Sequence, residues 1–128
     1  MPEQYSTTYS GEDASALEQF LELSRIISSL SVFSLSYLTV ITTTHTANRE
    51  NVVLVDDDTA GAGVTVSLLP AADVRGRIHI IKKLGTTGSV TIDADGAELI
   101  DGATTKVLSA QYASVQIISD GSVWHIIG

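Results

Sequence analysis

The sequence predicts a mainly β protein: a small antiparallel sandwich or barrel-like domain of short strands, preceded by an N-terminal arm and one helix. Two observations support this fold class. From Val52 onward, short β-branched runs alternate with glycine-containing turns, and turn signals every ~8–12 residues are typical of sandwiches and barrels. Before that region, apolar residues recur with helical period. We therefore predict an arm and helix over residues 1–31 and a β-domain over residues 32–128.

The amino-terminal segment combines a polar arm with an amphipathic helix. Residues 1–11 are rich in Ser, Thr and Tyr and predict an extended or disordered arm. The apolar positions that follow have heptad spacing; they are Ala16, Phe20, Leu23, Ile27 and Leu30, widened by Leu17, Leu21 and Ile26. Two interpretations stay open. Either Phe20, Leu23, Ile27 and Leu30 form an interface for docking or trimerisation, or the helix packs on its own β-domain.

Alternating apolar side chains predict the strands of the β-domain. One strand is expected from Val32 to Thr44, buried on both faces towards its end, and a loop at Thr46–Asn51. Two hairpins should follow, made of Val52–Val55 with Val64–Leu69 and of Ile78–Leu84 with Val90–Ile92. The last strands are expected at Lys106–Ser109, Ser114–Ile118 and Val123–Ile127.

Two stretches of the β-domain share one plan. VLVDDDTAGAGVTV and HIIKKLGTTGSVTI each contain a strand, a polar turn with glycine and a second strand. We attribute this likeness to two successive hairpins rather than to duplication of a segment.

The composition excludes several classes of function. The chain has no cysteine, which excludes a disulfide framework, a zinc–thiolate site and a cysteine nucleophile. Its formal charge of −8 disfavours nucleic acid and anionic membranes as partners. The basic cluster Arg75, Arg77, Lys82 and Lys83 is expected on solvated strand and loop positions. The most apolar segment, from Ile26 to Ile41, is interrupted by serines and does not predict a membrane span.

The remaining polar clusters favour structural roles over catalysis. His45, His79 and His125 could converge on a metal only if their strands meet, and ordinary strand positions are the simpler interpretation. Asp56–Asp58 and the calcium-loop-like DADGAE segment, with Asp93, Asp95 and Glu98, are better explained by turn chemistry. No nucleophile elbow or phosphate loop occurs. We therefore predict no enzymatic activity, no catalytic residues, no cofactor and no metal site.

Five short elements occur in a defined order along the second part of the chain. They are Leu69–Ala72, Gly76–Lys83, Ile100–Gly102, Tyr112–Val115 and Ser119–Trp124. Together they resemble the signature of a β-domain that recurs in tailed-phage virion proteins, namely capsid decoration or cement proteins, head fibres and tail fibres. The resemblance spans residues 52–128.

Individual signature residues have physical roles in this interpretation. Pro70 should end the strand Val64–Leu69 because it cannot donate to a ladder, and Gly76 should allow the backbone to turn. Gly102 and Gly121 complete Asp-Gly turns. Tyr112 should fix a corner through its hydroxyl, and Trp124 should anchor the core or a subunit interface.

The resemblance implies a structural protein of the virion, assembled in the host cytoplasm. Because an extended shaft and tip do not fit in 128 residues, we expect a decoration protein on the capsid surface, with the major capsid protein as its partner. The family likeness implies that this protein is a homotrimer. A mean hydropathy of +0.24 is consistent with surface that is buried against such partners. The alternative is a short head- or tail-fibre module that binds host surface glycans. An exposed Trp or Tyr in a groove would favour this alternative, so the burial of Trp124 discriminates between the two.

Overall fold

The computed structural model describes residues 16–24 and 36–128. Residues 16–24 are helical (α1) and belong to one compact unit, whereas the strands belong to a second unit, Leu35–Gly128. The predicted arm, residues 1–11, lies outside the described residues. Within the described ranges, no helix is long and apolar enough to cross a membrane.

The second unit consists of nine short strands joined by turns. The strands are β1 (Tyr37–Val40), β2 (Thr44–Thr46), β3 (Val52–Val55), β4 (Val64–Ser67), β5 (Ile78–Lys83), β6 (Val90–Asp93), β7 (Thr105–Leu108), β8 (Ser114–Ser119) and β9 (Trp124–Ile126). A single helical turn, α2 (Asp57–Ala60), connects β3 to β4, and a 3-10 turn at Ala71–Asp73 follows β4. The structure therefore confirms the predicted mainly β fold.

The strands form two sheets. Sheet I has five strands in the order β1-β3-β5-β8-β9, and sheet II has four in the order β2-β4-β6-β7. Four of the seven pairings are parallel, joining β1, β3 and β5 in sheet I and β2, β4 and β6 in sheet II. Only the pairings that involve β7, β8 and β9 are antiparallel. The predicted antiparallel pairing is thus correct for the carboxy-terminal strands and wrong for the others.

The first six strands alternate between the sheets, so consecutive strands are not hydrogen-bonded to each other. Val52 on β3 pairs with Tyr37 on β1 and with Ile80 on β5, not with β4. The two predicted hairpins are therefore wrong. The apolar, β-branched sequence of β3, Val-Val-Leu-Val, is typical of strands in parallel sheets. Each pair of consecutive strands forms one rung of a short stack.

The internal likeness in the sequence corresponds to two neighbouring rungs of this stack. Val64 lies beside Val90, and Val66 lies beside Ile92, in the parallel pairing of β4 with β6. Equivalent residues of the two stretches therefore occupy the same side of sheet II. Stacking of rungs, rather than successive hairpins, explains the shared plan.

The strand predicted from Val32 to Thr44 is interrupted. Residues before Ser36 lie outside the described part, and residues 41–43 turn the chain from sheet I into sheet II. β1 is an edge strand in which only Val40 is buried, so the prediction of burial on both faces is wrong. The chain then runs through the loop expected before Asn51 into β3.

The core lies between the sheets and is made mainly of valine and isoleucine. Inward positions alternate with outward ones along each strand. The largest fully buried side chains include Trp124, Ile81, Ile92 and Ile117. Two charged side chains, those of Lys83 and Asp57, are also buried with none of their surface exposed.

A buried ion pair joins the two neighbouring connections between the sheets, the one from β3 to β4 and the one from β5 to β6. The Nζ of Lys83, at the end of β5, lies 3.0 Å from Oδ2 of Asp57 in α2 and donates to the carbonyl of Gly85. The N–H groups of Gly85 and Gly88 donate to the same carboxylate at 2.9 Å each. A Cβ on Gly88 would lie 2.5 Å from the backbone nitrogen of Gly63. The close approach of these two connections therefore requires glycine at position 88.

Candidate interaction surface

The helical residues 16–24 present a wide apolar face to solvent. Leu17 is 57% exposed, Phe20 62%, Leu21 51% and Leu23 53%. At 100° per residue these side chains share one side of the helix, whereas Glu18, Gln19 and Glu22 fall on the other. Contiguous apolar exposure of this kind makes the face a candidate interaction surface. Two of the predicted interface residues, Phe20 and Leu23, therefore lie on one surface, which we call the helical seam (Leu17, Phe20, Leu21 and Leu23).

The other two residues of the predicted seam, Ile27 and Leu30, lie outside the described residues. The structure therefore describes only the first part of the heptad pattern.

Four of the predicted site residues shape turns of the sandwich. Pro70 precedes the 3-10 turn at Ala71–Asp73, but β4 ends three residues earlier, at Ser67, so Pro70 does not end the strand as predicted. Gly76 (φ +82°) turns the chain into β5, and its N–H donates to the carbonyl of Ser119 at 2.8 Å. Gly102 (φ +87°) and Gly121 (φ +97°) occupy the expected Asp-Gly turns. All four belong to the scaffold.

Tyr112 adopts an unusual backbone conformation and exposes its ring. Its φ is +65°, and 61% of its surface is exposed. Its N–H donates to the carbonyl of Lys83 at 2.8 Å, and Nζ of Lys82 lies 5.5 Å from the ring centroid. The corner is therefore held by the backbone of Tyr112 and not, as predicted, by its hydroxyl.

Trp124 is completely buried and belongs to the core. Its ring centroid lies 5.8 Å from that of His79, whose Nδ1 lies 2.8 Å from the carbonyl oxygen of Glu50. Burial lowers the pKa of His79, although the hydrogen bond to Glu50 opposes this effect. A neutral ring with its proton on Nδ1 satisfies the carbonyl of Glu50. Since Trp124 is not exposed, it offers no platform for a sugar ring.

The predicted basic cluster is only partly solvated. Arg75 is exposed, but Arg77 is half-buried and donates to the carbonyl of Asn48. Lys83 is fully buried, so its expected solvated position is wrong. Burial raises the pKa of Asp57, but hydrogen bonds from Gly88, Lys83 and Gly85 outweigh it and hold that pKa at about 2. The signal for this pair in the sequence was the combination of an aspartate-rich turn with a lysine at an inward strand position.

The acidic clusters cap backbone groups. Asp58 Oδ1 accepts hydrogen bonds from the N–H groups of Thr86 and Thr87, both at 2.8 Å, and Glu98 accepts one from Ala71 at 3.0 Å. Within residues 16–24 and 36–128, no three His, Asp or Glu side chains are grouped to hold a metal ion. Both acidic segments thus bind backbone groups of other loops, 27 to 29 residues away in sequence, and not only those of their own turns as predicted.

The three histidines lie in different environments of the sandwich. His45 pairs with Glu50 at 2.9 Å, and the exposed His125 pairs with Asp120 at 2.7 Å. His79 is buried beside Trp124. His45 and His79 thus both contact Glu50, the first through its carboxylate and the second through its backbone carbonyl, whereas His125 contacts Asp120.

The sequence of the sandwich matches a known family. Residues 37–125 match the family described as the phage depolymerase C-terminal beta sandwich domain. The chain belongs to this family. The match runs from the start of β1 into β9, so the phage β-sandwich domain accounts for almost the whole second unit. No curated protein matches the chain.

Membership of this family makes the chain a phage structural or tail-associated protein. The expectation of a virion protein is therefore confirmed at this level.

Proposed function

We propose that this chain is a homotrimeric capsid decoration (cement) protein, without enzymatic activity, that binds and stabilises the phage capsid shell. The observation that carries the proposal is the helical seam, in which four large apolar side chains are each more than half exposed. Apolar surface of this kind is stable in water when a partner covers it. The phage family supplies the context of a virion.

The seam supports self-association because its heptad-like pattern suits packing of identical helices. Phe20 and Leu23 lie three residues apart, and Ala16 precedes Phe20 by four, which is the spacing of side chains that interlock in helical bundles. Three copies around one axis would cover the seam in a closed assembly. The major capsid protein is the second partner, and contacts that bridge neighbouring capsomers would resist separation of the shell.

The second candidate is a fibre module that binds host surface glycans. It is favoured by Tyr112, whose exposed ring and left-handed backbone are features found at functional sites. Lys82 beside the ring could donate to a sugar hydroxyl. It is disfavoured by the burial of Trp124, the large aromatic that a sugar platform would use.

Imaging of intact phage particles tests the location. We expect density for the sandwich on the capsid surface, at a fixed position in each capsomer. Density for this chain on the tail alone would contradict the capsid role. In that case, binding to a glycan array by the wild-type chain but not by Tyr112→Ala would support the fibre module.

A further inference from the structure

The outward face of sheet I carries a cluster of large apolar side chains, which is unusual for a sandwich. Because side chains alternate along each strand, the inward residues Val53, Ile81 and Ile117 identify their neighbours as outward. Outward positions hold the apolar residues Val52, Leu54, Ile78, Ile80 and Ile118, all half-buried, and Tyr37, which is 69% exposed. The polar residues on the same face are Thr39, Lys82, Ser114, Gln116 and His125. Antiparallel and mixed sandwiches normally carry polar residues at such positions.

Sheet II of the same sandwich shows the normal pattern. Its outward positions are polar except for Val107; they are Thr44, Thr46, Thr65, Ser67, Thr91, Asp93, Thr105 and Val107. The two outer faces thus differ in chemistry although they belong to one small domain. This difference favours sheet I over sheet II as the face that a protein partner covers.

We propose that the outward face of sheet I packs against further copies of this chain. This inference rests on the proposed function, since it names the surface through which the trimer closes. In the assembly the three sheets I face one axis, and the threonine-rich sheets II face outward. Residues of all three copies then complete a second apolar core.

The charge distribution favours identical copies as the partner. The chain carries a formal charge of −8, so two copies repel each other over most of their surfaces. The outward positions of sheet I carry no aspartate or glutamate; the charged group there is Lys82, and His125 lies at the edge. This face is therefore the part of the sandwich where copies can approach without placing acidic groups together.

The size of the face fits an assembly that also uses a second surface. Five strands at ~4.8 Å spacing and ~15–20 Å length give roughly 400 Å² per copy. A standard interface buries about 800 Å² per partner. The face of sheet I would supply about half of that area, which leaves a role for the helical seam in the same trimer.

A matched pair of substitutions in the full-length chain tests the proposal. Ile80→Glu places an acid at the centre of the sheet I face, between Val52 and Gln116. Thr91→Glu places the same acid at the centre of sheet II, between Thr65 and Val107. Sedimentation of both variants over a concentration series gives the dissociation constant of the assembly, and the fluorescence of Trp124 reports whether the sandwich is folded.

We expect Ile80→Glu to raise the dissociation constant by about 100-fold or more, because three like charges would be buried together. Thr91→Glu should leave it unchanged. Ile80→Thr keeps a β-branched side chain and removes apolar surface, so it should weaken assembly less, in the same direction. Ile80→Thr also tests the interface if Ile80→Glu fails to fold.

Three outcomes overturn the proposal. If the wild type assembles and Ile80→Glu and Ile80→Thr assemble equally well, the sheet I face is not the interface, although the proposed trimer stands. If assembly is unchanged but a protease cleaves the first 35 residues faster in these variants, the chain's own amino-terminal segment covers the face. A monomeric wild type would instead refute the proposed trimer and this interface together.

Discussion

Replacing Lys83 by methionine is expected to lower the free energy of unfolding by about 3–5 kcal/mol, because it leaves the buried carboxylate of Asp57 without its cation. Lys83 and Asp57 are fully buried, and their side chains are 3.0 Å apart. For a domain with a total stability of about 5–15 kcal/mol, this loss is large. Urea unfolding at neutral pH measures it.

The neighbouring lysine provides the control. Lys82 lies on the outward side of β5, beside the ring of Tyr112, so Lys82→Met should cost less than about 1 kcal/mol. Equal losses in the two variants would contradict the structural role of the ion pair.

The same pair predicts the acid sensitivity of the fold. The pKa of Asp57 is held at about 2, below its ordinary value of 3.8. The carboxylate therefore stabilises the fold fully above pH 3.8, and this contribution is lost as the pH falls from 3.8 towards 2. Lys83→Met should lose less stability than the wild type across that window, because its carboxylate no longer has a cation to favour the charged form.

Replacing Trp124 by alanine is expected to lower the free energy of unfolding by about 3–5 kcal/mol, since it opens a cavity in the core. Trp124 has none of its surface exposed and packs against His79. Tyr112→Ala removes an exposed aromatic instead and should cost less than about 1 kcal/mol. Urea unfolding compares the two variants. If Trp124→Ala dissociated the assembly without lowering the stability of the sandwich, the residue would lie at a subunit interface and not in the core.

The sequence predicted the class of fold but not the pairing of its strands. Alternation in Val64–Ser67 and Val90–Asp93 is the same whether strands join a hairpin or stack as rungs, so the local pattern cannot distinguish these arrangements. The pairing depends on contacts between distant residues, such as Val52 with Ile80. The apolar run at Val52–Val55 was the local signal for parallel strands.

The sequence predicted one of the two candidate surfaces, the helical seam, but not the other, the sheet I face. The helical seam was accessible from sequence because its spacing is local, and Phe20 and Leu23 were identified in this way. The sheet I face was not, because Ile78 and Ile80 alternate with the buried His79 and Ile81, and a strand that is apolar on both sides looks like a core strand. The burial of Lys83 was not predicted because the residue that neutralises it, Asp57, lies far away in sequence, in the connection from β3 to β4.

The mass of the full-length chain in solution tests the central claim most directly. One chain has a mass of 13.5 kDa, and light scattering at micromolar concentration should give about three times that value. Substitution of Phe20 and Leu23 by serine should lower the mass, whereas Gln19→Ser, on the polar side of the same helix, should not. A wild-type chain that has the mass of one copy under these conditions would contradict the account.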